Sequence, residues 1–311
     1  MIYSVCVNNK DGKILEMDYQ NYYNAFRELI LIADKISGTG LISDFESRQK
    51  WALDLFFQLR NRSKTILSLL PEDGAIESKT YDLSAIACLT RSLGEIYEAF
   101  YYFGIDRIEE PEAMLRFLLM KIHQESELEE IQKKFRYEEF DIKLIKESIR
   151  SLRDEAKRRY SELSSLEGYE IYDLINQGKD KFRKTLKHNK GRCLDRKTIN
   201  RRIFERIHEN QEIPGVGKID LDKLEKIFEA MDTYLSNHIH VSPLAVSESA
   251  YEVMIGDKSK HFYKLLIRHN SFFLGSAIFD IAEMQNNPRI SDNSKELVAE
   301  SVIGYLRDLL S

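Results

Sequence analysis

The stretch Tyr81–Gly104, YDLSAIACLTRSLGEIYEAFYYFG, decides the fold class of this 311-residue chain. It contains no proline, and its apolar residues fall on nearly all sides of a helix. A helix that is apolar all round is normally enclosed by other elements, because each of its faces must be removed from water. We therefore predict a central buried helix here, with further helices packed around it.

The flanking sequence is patterned mainly for helices. Only 5 prolines and 14 glycines interrupt the chain, which favours long helices over many short strands. Capping residues and helix breakers delimit the other predicted helices. Outside the long segment described below, these helices span 19–37, 43–70, 221–240, 260–285 and 291–310. The predicted fold class is therefore all-α, a helical bundle.

One short segment near the N-terminus predicts strands instead. Apolar and polar residues alternate on both sides of Asp11-Gly12, and Asp-Gly is a hairpin turn signal. Residues 2–7 and 13–17 therefore predict a short β-hairpin. With no strong break further along, the predicted domains are a hairpin at 1–18 and a single helical domain at 19–311.

A long segment without glycine or proline, residues 112–167, carries a heptad pattern. Ten of its twelve a and d positions are apolar, a pattern typical of coiled-coil packing. These positions are Leu128, Ile131, Phe135, Glu138, Ile142, Ile145, Ile149, Leu152, Ala156, Arg159, Leu163 and Leu166. Because Glu138 is a place for a break, the segment forms either one long helix or a helical hairpin, an arm at about 112–168. The pattern alone leaves open whether the seam closes within one chain or in a dimer, and we expect a homo-oligomer.

Composition excludes several classes of protein. The cysteines Cys6, Cys88 and Cys193 lie far apart without a C-x-x-C pair, which argues against a disulfide framework or a zinc knuckle. No apolar run approaches the ~18 residues of a membrane span, and the N-terminal residues lack the pattern of a signal peptide. No P-loop, Rossmann or zinc-protease motif is present. We expect a cytoplasmic protein without membrane contact, metal or cofactor.

A basic segment interrupts this acidic chain. Residues 179–206 hold 12 lysines and arginines against 3 acidic residues, while the whole chain has a net charge of −5. Such a local excess is expected of a polyanion contact. The candidate nucleic-acid-binding residues are Lys190, Arg192, Arg196, Lys197, Arg201 and Arg202. The alternative is a solvated surface whose charges pair with acidic neighbours.

Charged residues also interrupt the central helix. Arg91 and Glu95 are four residues apart and share a helix face. They either form a structural ion pair or line a polar pocket. Much later, His238 and His240 stand where a predicted helix ends before Pro243. A histidine there either caps the helix or serves chemistry.

Two short motifs carry a resemblance to a known family. RSLGE at Arg91–Glu95 lies on an early apolar helix, and SNHIHVSP follows at Ser236–Pro243. In this combination the chain resembles an uncharacterised prokaryotic all-helical family that is similar to the HEPN group (higher eukaryotes and prokaryotes nucleotide-binding). The likeness spans the layout of roughly residues 45–250 and aligns His240, not His238, with the family histidine.

The resemblance implies an all-helical protein, often dimeric, that acts on RNA. Many HEPN proteins are metal-independent ribonucleases of toxin or phage-defence type, and others are inactive scaffolds. Their usual signature, arginine and then histidine after four to six residues, occurs here only outside the two motifs. It is found at Arg116 to His123, Arg183 to His188 and Arg202 to His208.

The chemistry that this resemblance implies is coherent. Attack by the RNA 2′-hydroxyl needs a base with a pKa near neutrality, which the imidazole of His240 supplies. The guanidinium of Arg91 suits the phosphate oxygens, and Glu95 orients one of these two groups. Ser236 completes the predicted catalytic set. The sequence thus predicts a HEPN-like metal-independent endoribonuclease, with a non-catalytic scaffold or partner-binding subunit as the alternative.

Overall fold

The computed structural model describes residues 7–8, 14–15, 19–37, 47–72, 82–135, 141–162, 184, 187–188, 191–192, 194–210, 220–239, 256–284 and 292–310. Nearly all of these residues are helical, so the all-α prediction is confirmed. The helices are α1 Tyr19–Ser37, α2 Ser47–Leu69, α3 Leu83–Phe100, α4 Glu110–Phe135, α5 Ile142–Glu162, α6 Arg196–Asn210, α7 Leu221–Ile239, α8 Gly256–Met284, α9 Asp292–Ala299 and α10 Tyr305–Leu310. Two π-helical turns, Tyr101–Ile105 and Glu300–Gly304, follow α3 and α9.

Two two-residue strands precede the helices. β1 (Val7–Asn8) pairs antiparallel with β2 (Ile14–Leu15), with Val7 opposite Leu15. The rest of both predicted strands lies outside the described residues, and the full hairpin stays a prediction.

The chain divides into two compact units. The first combines Met1–Ile105 with Ile203–Ser311, and the second is Asp106–Arg202. This division does not coincide with the boundary predicted at residue 18, and the predicted domain plan stays a prediction. Each unit has its own packing, described in turn.

In the first unit, α3 is the central helix that its sequence predicts. It packs against α2, α7 and α8, while α1 packs against α8. Gly94 lets these helices approach closely, because a Cβ there would lie 3.1 Å from the ring of Phe273. A buried aromatic cluster surrounds the neighbouring residue, Phe272. Its ring centroid lies 5.3 Å from that of Phe228 and 5.5 Å from that of Tyr305.

In the second unit, the heptad segment forms two helices, α4 and α5, that pack against each other within one chain. The α5 positions Ile145, Ile149 and Ala156 are buried, as a seam requires. The α4 positions differ, since Ile131 is 45% exposed and Phe135 is 72% exposed. The seam predicted from the sequence is therefore closed along α5 and left open at the C-terminal end of α4.

Buried charge is a second feature of this unit. Arg116 is fully buried, and its guanidinium lies 2.7 Å from Asp106 and 2.8 Å from Glu112. Arg202 also reaches Asp106, at 2.8 Å. A buried guanidinium is tolerated only with such partners, because desolvation of an unpaired charge is costly.

Candidate functional site

Helix α3 sets the first half of the candidate site. Its N-cap is Asp82, whose carboxylate accepts a hydrogen bond from the backbone N–H of Ala85 at 2.9 Å. Two turns further on, Nε of Arg91 lies 3.6 Å from Glu95, and both side chains are partly exposed. The helical spacing that predicted a shared face is therefore confirmed as an ion pair.

Helix α7 supplies the second half. Asp232 lies 3.7 Å from Nε of Arg91, across the contact between α3 and α7. One turn later, the hydroxyl of Ser236 donates a hydrogen bond to the carbonyl of Asp232 at 2.7 Å. The segment holding Ser236 thus packs on the helix that holds RSLGE. Sequence reasoning missed Asp232, although its position four residues before Ser236 puts both on one helix face.

The electrostatics of this contact favour a structural role for Arg91. One guanidinium stands between two carboxylates, Glu95 and Asp232. Its Nε is buried and makes no hydrogen bond within the part of the chain that the structure describes. The positive charge is already compensated, so a phosphate that approached would also meet two negative groups.

The histidines are placed unequally. His240 lies outside the described residues. His238 is buried, with Nδ1 3.4 Å from the hydroxyl of Ser84 and the ring edge-on to Tyr234. Ser84 precedes Arg91 by seven residues, so His238 contacts α3 about two turns before Arg91. The described contacts of Arg91 are with Glu95 and Asp232, and Ser236 lies one turn beyond Asp232 on α7.

A cysteine lies between these two contacts. Cys88 is half-buried on α3, and burial raises the pKa of its thiol, with the negative charge of Asp82 adding to the effect. Arg91 opposes the rise, but less strongly. A raised pKa lowers the fraction of reactive thiolate, which disfavours Cys88 as a nucleophile.

The six predicted nucleic-acid-binding residues differ in how exposed their side chains are. Lys190 lies outside the described residues. Arg192 is only 8% exposed, and Arg202 is held by Asp106. Lys197 and Arg201 are exposed, and Arg196 is half-buried. The exposed members of the set lie on the first turns of α6.

The alternative arginine–histidine pairs offer no better site. Arg116 is enclosed by its two carboxylates. His123, two turns further along the same face of α4, has a lowered pKa because burial outweighs the attraction of Glu127. Arg183 lies outside the described residues, as does the side chain of His208.

The sequence analysis did not predict a further cluster of charged residues, which lies around Asp280. Asp280 on α8 is buried and accepts hydrogen bonds from Arg206 at 3.0 Å and from Tyr97 at 3.3 Å. Burial raises the pKa of Asp280 to about 6, against the lowering effects of Arg206 and Tyr97. The members come from three separate helices, so no sequence spacing signals the cluster.

Two wider surveys constrain the chemistry. Among the described residues, no group of three or more His, Cys, Asp or Glu side chains is arranged to hold a metal ion. None of the helices described is long and apolar enough to span a membrane.

Comparisons with known proteins add no assignment. Searches with the chain found no matching protein-family model, no matching curated protein and no matching solved structure. The likeness to the HEPN group therefore rests on RSLGE and SNHIHVSP alone.

Proposed function

We propose that this protein acts by binding another helical polypeptide through its second unit, and not by catalysis. The observation that carries the proposal is the open end of the heptad seam on α4. Ile131 and Phe135 lie on one helix face with the half-buried Leu128, yet the packing of α4 against α5 leaves them exposed. Apolar residues clustered on a surface mark binding sites more often than isolated ones do.

The spacing of these residues defines the chemistry of the partner. Positions 128, 131 and 135 follow the three–four spacing of a coiled-coil stripe, into which side chains of a facing helix insert. The fitting partner is an amphipathic helix with its own apolar stripe. Its binding removes the ring of Phe135 from water, which is the main source of affinity.

A site-specific photo-crosslinker tests this proposal. A photoreactive amino acid replaces Phe135 in one variant and the exposed Lys157 on α5 in a control variant. We expect one discrete adduct from position 135, absent at 157 and lost when Ile131→Ser is added. Mass spectrometry should map the adduct to a helix with apolar residues at heptad spacing. No adduct, or the same adducts at both positions, contradicts the proposal.

A second candidate is the HEPN-like metal-independent ribonuclease. The packing of α3 against α7 favours it, since it brings the RSLGE helix next to the helix that carries the start of the second motif. In this alternative, His240 acts as the base, Arg91 receives phosphate oxygens, and Glu95 and Asp232 orient the guanidinium. The exposed Lys197 and Arg201 contact the RNA backbone.

An RNA cleavage assay separates the two candidates. Purified protein is incubated with mixed RNA, with and without EDTA, beside His240→Ala and Arg91→Lys. The binding proposal predicts no cleavage above the level of the variants. The ribonuclease predicts EDTA-resistant cleavage that falls by about 100-fold or more in His240→Ala, the usual effect of removing a general base. Lys197→Ala with Arg201→Ala would then flatten the salt dependence of RNA binding.

A further inference from the structure

We infer that α5 carries a second binding face, which fits an acidic helix of a partner polypeptide whose carboxylates recur at every seventh residue. The inference goes beyond the proposed function, because it does not depend on the α4 stripe of Leu128, Ile131 and Phe135. Four exposed cations on one side of α5 carry it, and we call them the α5 basic stripe. This stripe consists of Lys143, Lys146, Arg150 and Lys157.

The spacing of the α5 basic stripe places it beside the contact with α4. Lys143, Arg150 and Lys157 recur at every seventh residue, so they lie about 10 Å apart along one side of the helix. The last two directly follow the buried seam residues Ile149 and Ala156, and are therefore turned about 100° away from the seam. The stripe is thus left accessible when α4 packs against α5.

The positive charges of the stripe are not neutralised by ion pairs. None of its four side chains forms a salt bridge within the described part of the chain. Nearby, the carboxylate of Asp141 accepts a hydrogen bond from the backbone N–H of Lys143 at 2.7 Å. Glu155 is engaged by Arg158 and Arg159. An anionic partner can therefore approach the stripe without breaking an existing ion pair of these cations.

Two exposed carboxylates decide which anionic partner fits. Glu147 and Asp154 are also seven residues apart, and each lies four residues after a cation of the stripe, next to it on the helix surface. A nucleic-acid strand has a negative phosphate at every nucleotide, so a strand along the stripe brings phosphates to both carboxylates. A helix with acidic residues at every seventh position places other side chains there. The charge pattern therefore favours an acidic helix over a nucleic acid.

Two synthetic peptides test the inference with the full chain. Both are helical peptides of alanine and glutamine with four glutamates, placed at every seventh residue in the probe and at every fifth residue in its control. Seven-residue steps keep the glutamates on one helix face, and five-residue steps spread them around the helix. In fluorescence anisotropy at low salt, the probe should bind about 10-fold more tightly than its control. The difference should vanish at about 0.5 M salt, because salt screens exposed charges.

Two variants of equal net charge locate the contact. The stripe variant should weaken binding of the probe by about 10-fold, and its changes are Lys143→Gln, Lys146→Gln, Arg150→Gln and Lys157→Gln. The control variant also removes three lysines and one arginine, all exposed and spread over three helices of the first unit. Its changes are Arg27→Gln, Lys35→Gln, Lys50→Gln and Lys226→Gln, and it should bind the probe as the parent does. Circular dichroism confirms that both variants are folded.

Four outcomes overturn the inference. They are no binding of the probe at low salt, equal affinity for the two peptides, and equal weakening in the two variants. The fourth is a 20-nucleotide RNA that binds more tightly than the probe and loses this affinity in the stripe variant, which assigns the stripe to nucleic acid.

These results leave the proposed binding through α4 to its own test, the photo-crosslink from position 135. Position 157, the control of that test, belongs to the α5 basic stripe. A helix bound there gives an adduct that differs from the one at position 135.

Discussion

Both units of this chain contain a buried ion pair, and they differ in where they leave large apolar side chains exposed. In the first unit, rings such as Phe272 and Phe273 fill the interior, and the charges of Arg91 sit at a partly exposed helix contact. In the second unit, Arg116 is fully buried while Phe135 is largely exposed. Burial of apolar surface stabilises a fold, and apolar surface left exposed serves association. Under the binding function proposed above, the first unit serves as a scaffold and the second as the contact region.

The largest expected effect concerns the aromatic core of the first unit. Phe272→Ala removes a buried ring that contacts Phe228 and Tyr305, and should lower the free energy of unfolding by about 3 to 5 kcal/mol. The fluorescence of Trp51, the single tryptophan of the chain and a residue of this unit, follows unfolding in urea. Phe279→Ala on the same helix is the control, because that ring is 36% exposed. Equal losses in both variants would mean that the ring cluster is not the core.

The corresponding prediction for the second unit concerns buried charge. Arg116→Ala leaves the carboxylates of Asp106 and Glu112 without their buried partner, and should cost about 3 to 4 kcal/mol. Urea unfolding followed by far-UV circular dichroism measures the loss. Arg158→Ala, which removes an exposed pair with Glu155, should cost far less than Arg116→Ala does, because water screens an exposed pair. A small loss at Arg116 would argue that this unit does not depend on its buried ions.

The next prediction concerns pH and a charge inside the first unit. Burial raises the pKa of Asp280 from 3.8 to about 6, so the folded state binds this proton more tightly than the unfolded state does. The stability from this group is complete below the unfolded pKa and is lost as the pH rises through about 6. Asp280→Asn cannot ionise, so its unfolding free energy relative to the parent should rise by about 3 kcal/mol between about pH 3 and pH 7.5.

The control for that measurement is Glu283→Gln. Glu283 also pairs with Arg206, but its side chain is 49% exposed. Because Glu283 is only a minor cause of the raised pKa of Asp280, this variant should change the pH dependence far less than Asp280→Asn does. If the curve of Asp280→Asn runs parallel to that of the parent, folding does not raise the pKa of Asp280.

Much of the fold follows from the sequence because periodicity reports local structure. The apolar run of Tyr81–Gly104 predicted the central helix, and the structure has α3 and a π-helical turn there. Spacing also predicted the ion pair of Arg91 with Glu95. Heptad periodicity predicted a seam, but not that its buried positions would lie on α5 while Ile131 and Phe135 of α4 stay exposed. That outcome depends on which face of α4 meets α5, and the pattern alone does not encode it.

The candidate site was predictable only where its residues are neighbours in sequence. Asp232 joins Arg91 from a helix 141 positions later, and Asp280 gathers partners from α3 and α6. Such contacts arise from helix packing and leave no spacing in the chain. The basic segment shows the same limit, since composition marked Arg192 and Arg202 as surface charges. Packing instead buries Arg192 and binds Arg202 to Asp106.

The smallest expected effect on stability is the most informative for function. Phe135→Ser should change the free energy of unfolding by less than about 0.5 kcal/mol, because the ring is already 72% exposed. Ile122→Ser on the same helix should cost several times more, since that side chain is fully buried. For binding of the proposed helical partner the order should reverse, with Phe135→Ser weakening the complex by about 10-fold. A loss of stability at Phe135 comparable to that at Ile122 would make the ring part of the fold and leave the α4 stripe without a binding role.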